Sequence, residues 1–91
     1  MTRLSLVVYK EYFDAIVAGT KKIEYRDATE YWADRLTLRP PGCPRIERQF
    51  DEVEFRNGYQ KNARRARFIC GLIKLVKERG EFEIHIGGRL P

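Results

Sequence analysis

The segment RFICGLIKLVK, residues 67–77, is apolar on both faces for much of its length. Its enrichment in β-type side chains and the glycine in its middle favour one long central strand over a buried helix. Gly71 marks a bend or bulge, because a strand glycine has no side chain to pack. Elsewhere the chain repeatedly alternates with period two. Leu4, Leu6 and Val8 share one face of residues 3–9, and Val53 and Phe55 alternate with Glu52, Glu54 and Arg56. In EFEIHI, residues 81–86, Phe82, Ile84 and Ile86 point the same way and are expected in the core. Residues 21–26 set Ile23 and Tyr25 on one face against Lys22, Glu24 and Arg26 on the other, which reads Tyr25 as a core side chain. A short strand over 35–39, RLTLR, ends at PPGCP, where prolines and a glycine forbid regular ladder pairing.

One stretch changes period. In KEYFDAIVA, residues 10–18, Phe13, Ile16 and Val17 fall at helical spacing, and Gly19 follows as a left-handed terminator. So short a helix survives by laying its apolar stripe on a sheet. Residues 27–34 are polar and aromatic and read as a helical turn carrying Tyr31 and Trp32. NGY at 57–59 signals a turn, and QKNARRAR beyond it is a basic loop or brief helix. Five or six short strands are more than one flat sheet on a single helix can hide, so closure is the economical solution. The predicted class is α+β: a small β-barrel of five or six strands with one short helix after the first strand. Ninety-one residues supply one core, hence a single domain over 1–91.

The net charge is +5 and the pI near 9.5. Lysines and arginines gain affinity for phosphates by releasing counterions, so a polyanionic partner is expected. No apolar run approaches the roughly 20 residues of a spanning helix, and the first residues show no cleavage-site pattern. A cytoplasmic location and no membrane partner are the expectation. Cys43 and Cys70 are too few and too far apart for a metal cluster, and His85 is the single histidine. No metal and no cofactor are predicted; Cys70 is assigned to the core, Cys43 to a loop, and His85 to the surface. With one histidine and a lone Ser5 inside the first strand, no serine–histidine pair is available.

The charged residues after the helix form a pattern. Gly19, Lys21, Glu24 and Arg26 spell G-x-K-x-x-E-x-R directly behind a strand–helix pair. Gly19 lets the chain reverse tightly. Glu24 and Arg26 lie two apart on one strand face. If Lys21 belongs to the turn instead of the ladder, all three tips converge on one cleft; otherwise they make a solvated strand face with a weak surface ion pair.

The pattern and its position resemble the ASCH domain family, whose barrel is similar to the PUA fold of RNA-modifying enzymes. The resemblance is strongest over residues 4–27 and looser over 66–77 and 81–86. It implies RNA binding, RNA cleavage or, in one branch, removal of the acetyl group from N4-acetylcytidine. In that branch a lysine at the position of Lys21 activates a threonine three residues later. Here that position is Glu24, so the hydroxyl nucleophile is missing from its place and Glu24 is left as a base on water.

The function expected from these features is recognition of RNA, or of a nucleoside or nucleotide ligand, in a cleft lined by Lys21, Glu24 and Arg26. Lys21 and Arg26 would hold phosphate or carbonyl oxygens, and Glu24 would accept from an exocyclic amine. Tyr31 and Trp32 would wall the cleft. Lys61, Arg64, Arg65 and Arg67 form the densest basic cluster and are the expected nucleic-acid contacts. Two alternatives stand beside this. One is a small hydrolase, an N4-acetylcytidine-type amidohydrolase or a ribonuclease, with Lys21 and Glu24 as the catalytic pair. The other is a basic protein-interaction module.

Overall fold

A computed structural model describes residues 2–91. The long apolar run is strand β6 (Arg65–Val76), the centre of a five-stranded sheet. On one side it pairs antiparallel with β5 (Glu52–Asn57), which pairs parallel with β1 (Arg3–Val8). On the other it pairs with β7 (Glu81–Arg89), which carries β2 (Ile23–Asp27) on its far edge. The order β1-β5-β6-β7-β2 curls into a half-barrel around the core. Two residues each of β3 (Thr37–Leu38) and β4 (Ile46–Glu47) form a separate small ladder.

The inward alternation holds along most strands. Leu4, Leu6 and Val8 of β1, Val53 and Phe55 of β5, and Phe82 and Ile84 of β7 are buried. Ile86 is partly buried against the same cluster. In β6 the buried residues run Ala66, Phe68, Cys70 and then Ile73, so the inward parity changes across Gly71. Cys70 pairs with Ile86 and Ile73 with Ile84, three steps on β6 against two on β7. This is a β-bulge, and it turns Leu72 out to solvent. A Cβ on Gly71 would stand 3.1 Å from the His85 carbonyl oxygen, and one on Gly87 only 2.9 Å from that of Ile69. The two glycines let β6 and β7 pass closely where their registers slip.

Helix α1 (Lys10–Ala18) buries Phe13 and Ile16 against the sheet, with Val17 partly covered. Gly19 at φ 83° ends it, and the amides of Thr20 and Lys21 both donate to the Ala15 carbonyl. That tight reversal takes Lys21 off the ladder.

Three features differ from the expectation. Arg35 and Leu36, read as part of a strand over 35–39, end a helix instead, and only Thr37–Leu38 remain as strand. Among the described residues there are two helices, because the aromatic stretch forms a full helix α2 (Glu30–Leu36) and not a single turn. Thr29 caps it, its hydroxyl accepting from the Trp32 amide at 3.3 Å, and Leu36 anchors it in the core. The sheet also curls without completing a barrel, and its edges β1 and β2 carry no mutual ladder. A side chain stands in the gap: Arg26 donates from Nη2 to the Val7 carbonyl at 2.9 Å. Among the described residues no helix is long and apolar enough to cross a membrane.

Candidate functional site

The charged face of β2 points inward. Antiparallel register sets Glu24 opposite Ile84 and Arg26 opposite Phe82, and cross-strand partners share a face. Both partners are buried, so Glu24 and Arg26 look into the hollow of the half-barrel, and Glu24 is only 7% exposed. The period of two was legible, but the assignment of faces was inverted. Tyr25, expected in the core, lies on the outer side of β2 with 44% of its surface exposed.

A buried carboxylate needs compensating partners. Glu24 has two, one on each oxygen. Lys21 Nζ stands 3.3 Å from Oε1, and Arg26 Nη2 donates to Oε2 at 2.7 Å. Lys21 Nζ also donates to the Ile23 carbonyl at 2.8 Å, which fixes the ammonium over the turn. The three side chains therefore converge, as the spacing allowed. Two cations against one carboxylate leave a local charge of +1. Of the three Lys21 ammonium hydrogens at least one remains available, and Arg26 Nε is buried without a partner among the described residues.

This triad floors a cleft of about 860 Å3 along the seam between β1 and β2, within the size range of small-molecule sites. Its walls are aromatic. Tyr9 and Tyr12 come from the end of β1 and the first turn of α1, Tyr25 from β2, and Tyr31 and Trp32 from α2. Gly58 and Tyr59, in the turn between β5 and β6, form part of its rim. Lys21 Nζ lies 5.3 Å from the Tyr12 ring centre and 5.4 Å from that of Tyr25; the Arg26 guanidinium lies 4.9 Å from Trp32. Tyr31 meets Trp32 edge-on at 5.0 Å and stacks under the Arg35 guanidinium. Cations over ring faces hold the rings and are held by them. Tyr31 and Trp32 both line the cleft.

Tyr9, Tyr12, Tyr25 and Tyr59 were not among the predicted site residues. The signal for two of them was readable: in YKEYF a tyrosine precedes the helix and another stands three residues on, with neither in the apolar stripe of Phe13, Ile16 and Val17. Tyr25 was hidden by the inverted faces of β2.

The basic cluster does not form one patch. Arg64 and Arg65 are consecutive at the start of an extended segment, so they project to opposite sides. Arg64 packs over the Phe13 ring at 4.7 Å and donates to Asp14 Oδ1 at 3.0 Å. Lys10 and, secondarily, Arg64 hold the Asp14 carboxyl below its ordinary range, against an opposing effect of burial. Arg67 lies on the outer face, where it donates to Glu52 Oε1 at 3.2 Å and to the Pro91 carbonyl. Arg65 and Lys61 are exposed, and Lys61 belongs to the same turn as Tyr59. His85 is half-buried on the outer face, 3.2 Å from Glu83 Oε1. Cys43 is exposed and Cys70 buried, both unbridged. Comparison with protein-family models, with curated proteins and with solved structures found no match to the chain.

Proposed function

We propose that the cleft recognises RNA or a nucleobase-containing ligand, and that Lys21, Glu24 and Arg26 read its polar edge. The observation that carries this reading is the placement of the triad at the bottom of an aromatic-walled hollow. A flat π-system slides between tyrosine and tryptophan faces, where stacking tolerates any base. The floor then offers the remaining Lys21 donor to a carbonyl or phosphate oxygen and the outer lone pairs of Glu24 to an exocyclic amine. The +5 charge of the chain supplies longer-range attraction. Arg65 and Lys61 are the members of the basic cluster left without an anionic partner among the described residues, and they carry that role better than Arg64 or Arg67.

The test is equilibrium binding of short RNAs and of nucleoside monophosphates to the wild type and to Lys21→Ala. Binding that weakens with salt and weakens further in the variant supports the proposal. Salt-insensitive or undetectable binding removes it and favours a module that meets an acidic protein.

One contact favours a second, enzymatic reading. Lys21 and Glu24, 3.3 Å apart in a cleft with room for a nucleoside, form a pair able to move a proton. Thr20 does not stand in for the missing nucleophile: it is not among the residues lining the cleft, and its hydroxyl turns to the Ala15 carbonyl at 3.2 Å. Incubation with N4-acetylcytidine and with short RNAs decides: turnover that disappears in Lys21→Ala selects the hydrolase, and binding without turnover selects recognition alone.

A further inference from the structure

The ring of Tyr59 is held differently from the others around the cleft. Tyr12 and Tyr25 are close to Lys21, Trp32 to Arg26, Tyr31 to Arg35, and Tyr9 leans on Tyr12 with ring centres 6.3 Å apart. The Tyr59 ring has no aromatic or cationic partner among the described residues, and the residue is 84% exposed. Its backbone, in contrast, is hydrogen-bonded. Gly58 takes φ 94°, and Arg56 Nη2 donates to the carbonyls of Tyr59 at 3.2 Å and of Gln60 at 2.7 Å. A ring so exposed adds little to folding, since burial is what makes an aromatic stabilising. The turn needs its glycine, but nothing in it needs an aromatic neighbour. The result is a flat apolar face on a hydrogen-bonded turn, beside the cleft and two residues from Lys61.

Resting on the cleft reading above, we infer that the ligand is an unpaired stretch of RNA at least two nucleotides long, with one base in the cleft and its neighbour stacked on Tyr59. A free nucleoside has nothing to place on that ring. A duplex keeps its base faces closed in its own stack. A single strand supplies a splayed base for the cleft, a second base face for Tyr59, and phosphates to pass the positive turn.

The experiment compares each of the four nucleoside 5′-monophosphates with the matching homotrimer, by calorimetry, on the wild type, Tyr59→Ala and Tyr59→Phe. The readout is the ratio of trimer to monomer affinity. The wild type is expected to favour the trimer, Tyr59→Ala to lose about tenfold of that preference, and Tyr59→Phe, which keeps the ring, to retain it. Because charge is identical in the three proteins, the loss isolates stacking. A trimer preference that survives Tyr59→Ala, or equal affinity for both probes in the wild type, overturns the inference and leaves the cleft reading standing. Failure of both probes to bind overturns the two together.

Discussion

Arg26 reaches across the open seam of the half-barrel to the Val7 carbonyl oxygen, 2.9 Å from its Nη2, while the same nitrogen donates to Glu24. The side chain does what a ladder bond does in a closed barrel. It also fixes one wall of the cleft, because Val7 and Arg26 both line it.

Replacing this tether should open the seam. Arg26→Ala is expected to cost about 2 kcal/mol, the value of charge-assisted hydrogen bonds left unmade. Arg26→Lys should recover only part of it, since an ammonium lacks the guanidinium fork. Hydrogen exchange would show the change first at the amides of β1 and β2, ahead of those of β6. Uniform exchange across the sheet in Arg26→Ala would contradict the tether.

Glu24 separates two cations that otherwise face each other in a half-dry hollow. Glu24→Gln keeps the shape and removes the charge, so it should destabilise the fold by roughly 2–3 kcal/mol, at the low end for a broken buried pair because the cleft is partly wet. For a domain of this size that lowers the melting temperature by about 10 °C or more. Added salt should restore part of the loss by screening the repulsion. A melting temperature within about 2 °C of wild type would show that Glu24 has no such role.

The close passage of β6 and β7 predicts an intolerant glycine. In Gly87→Ala the new methyl would stand 2.9 Å from a backbone oxygen that cannot rotate away, so the strands must part. A loss of about 1–3 kcal/mol in urea unfolding is expected, and an unchanged midpoint would refute the packing argument. Gly88→Ala, with nothing near its Cβ, is the control.

Acid should weaken one surface link. Asp14 titrates below its ordinary value of 3.8, chiefly through the Lys10 hydrogen bond and also through Arg64. A depressed carboxyl contributes stability above its unfolded value and loses it as pH falls through the folded one. The stability difference between wild type and Asp14→Asn should therefore be present at neutral pH and shrink in acid. A difference independent of pH would contradict the assignment. The same variant releases Arg64 and Lys10, so under the proposed RNA recognition the affinity should rise and its salt dependence steepen.

These relationships were unevenly legible in the sequence. The bulge at Gly71 could be foreseen because a glycine interrupted an otherwise continuous β-forming run. The convergence of Lys21 on Glu24 followed from Gly19, whose turn frees Lys21 from strand alternation. The inward aim of Glu24 and Arg26 was not accessible. Alternation fixes which residues share a face but not which face is buried, and here the pairing with Ile84 and Phe82 decides it against hydropathy. Three of the four basic residues, Arg64, Arg65 and Arg67, are close in sequence, yet strand geometry sends Arg64 toward α1 and Arg65 and Arg67 outward. The second helix was seen only as a turn, because its apolar contact with the core rests on little more than Leu36, Trp32 and Ala33.

The chain has a single tryptophan, and it lies in the wall of the cleft beside Arg26. Its emission therefore reports on the site directly. Titration with nucleoside monophosphates and short single-stranded RNA should quench Trp32 saturably, and Lys21→Ala should shift the midpoint to higher ligand concentration. Emission that stays flat throughout the titration, or saturates identically in the Lys21 variant, would contradict a nucleobase held over the Lys21–Glu24–Arg26 floor.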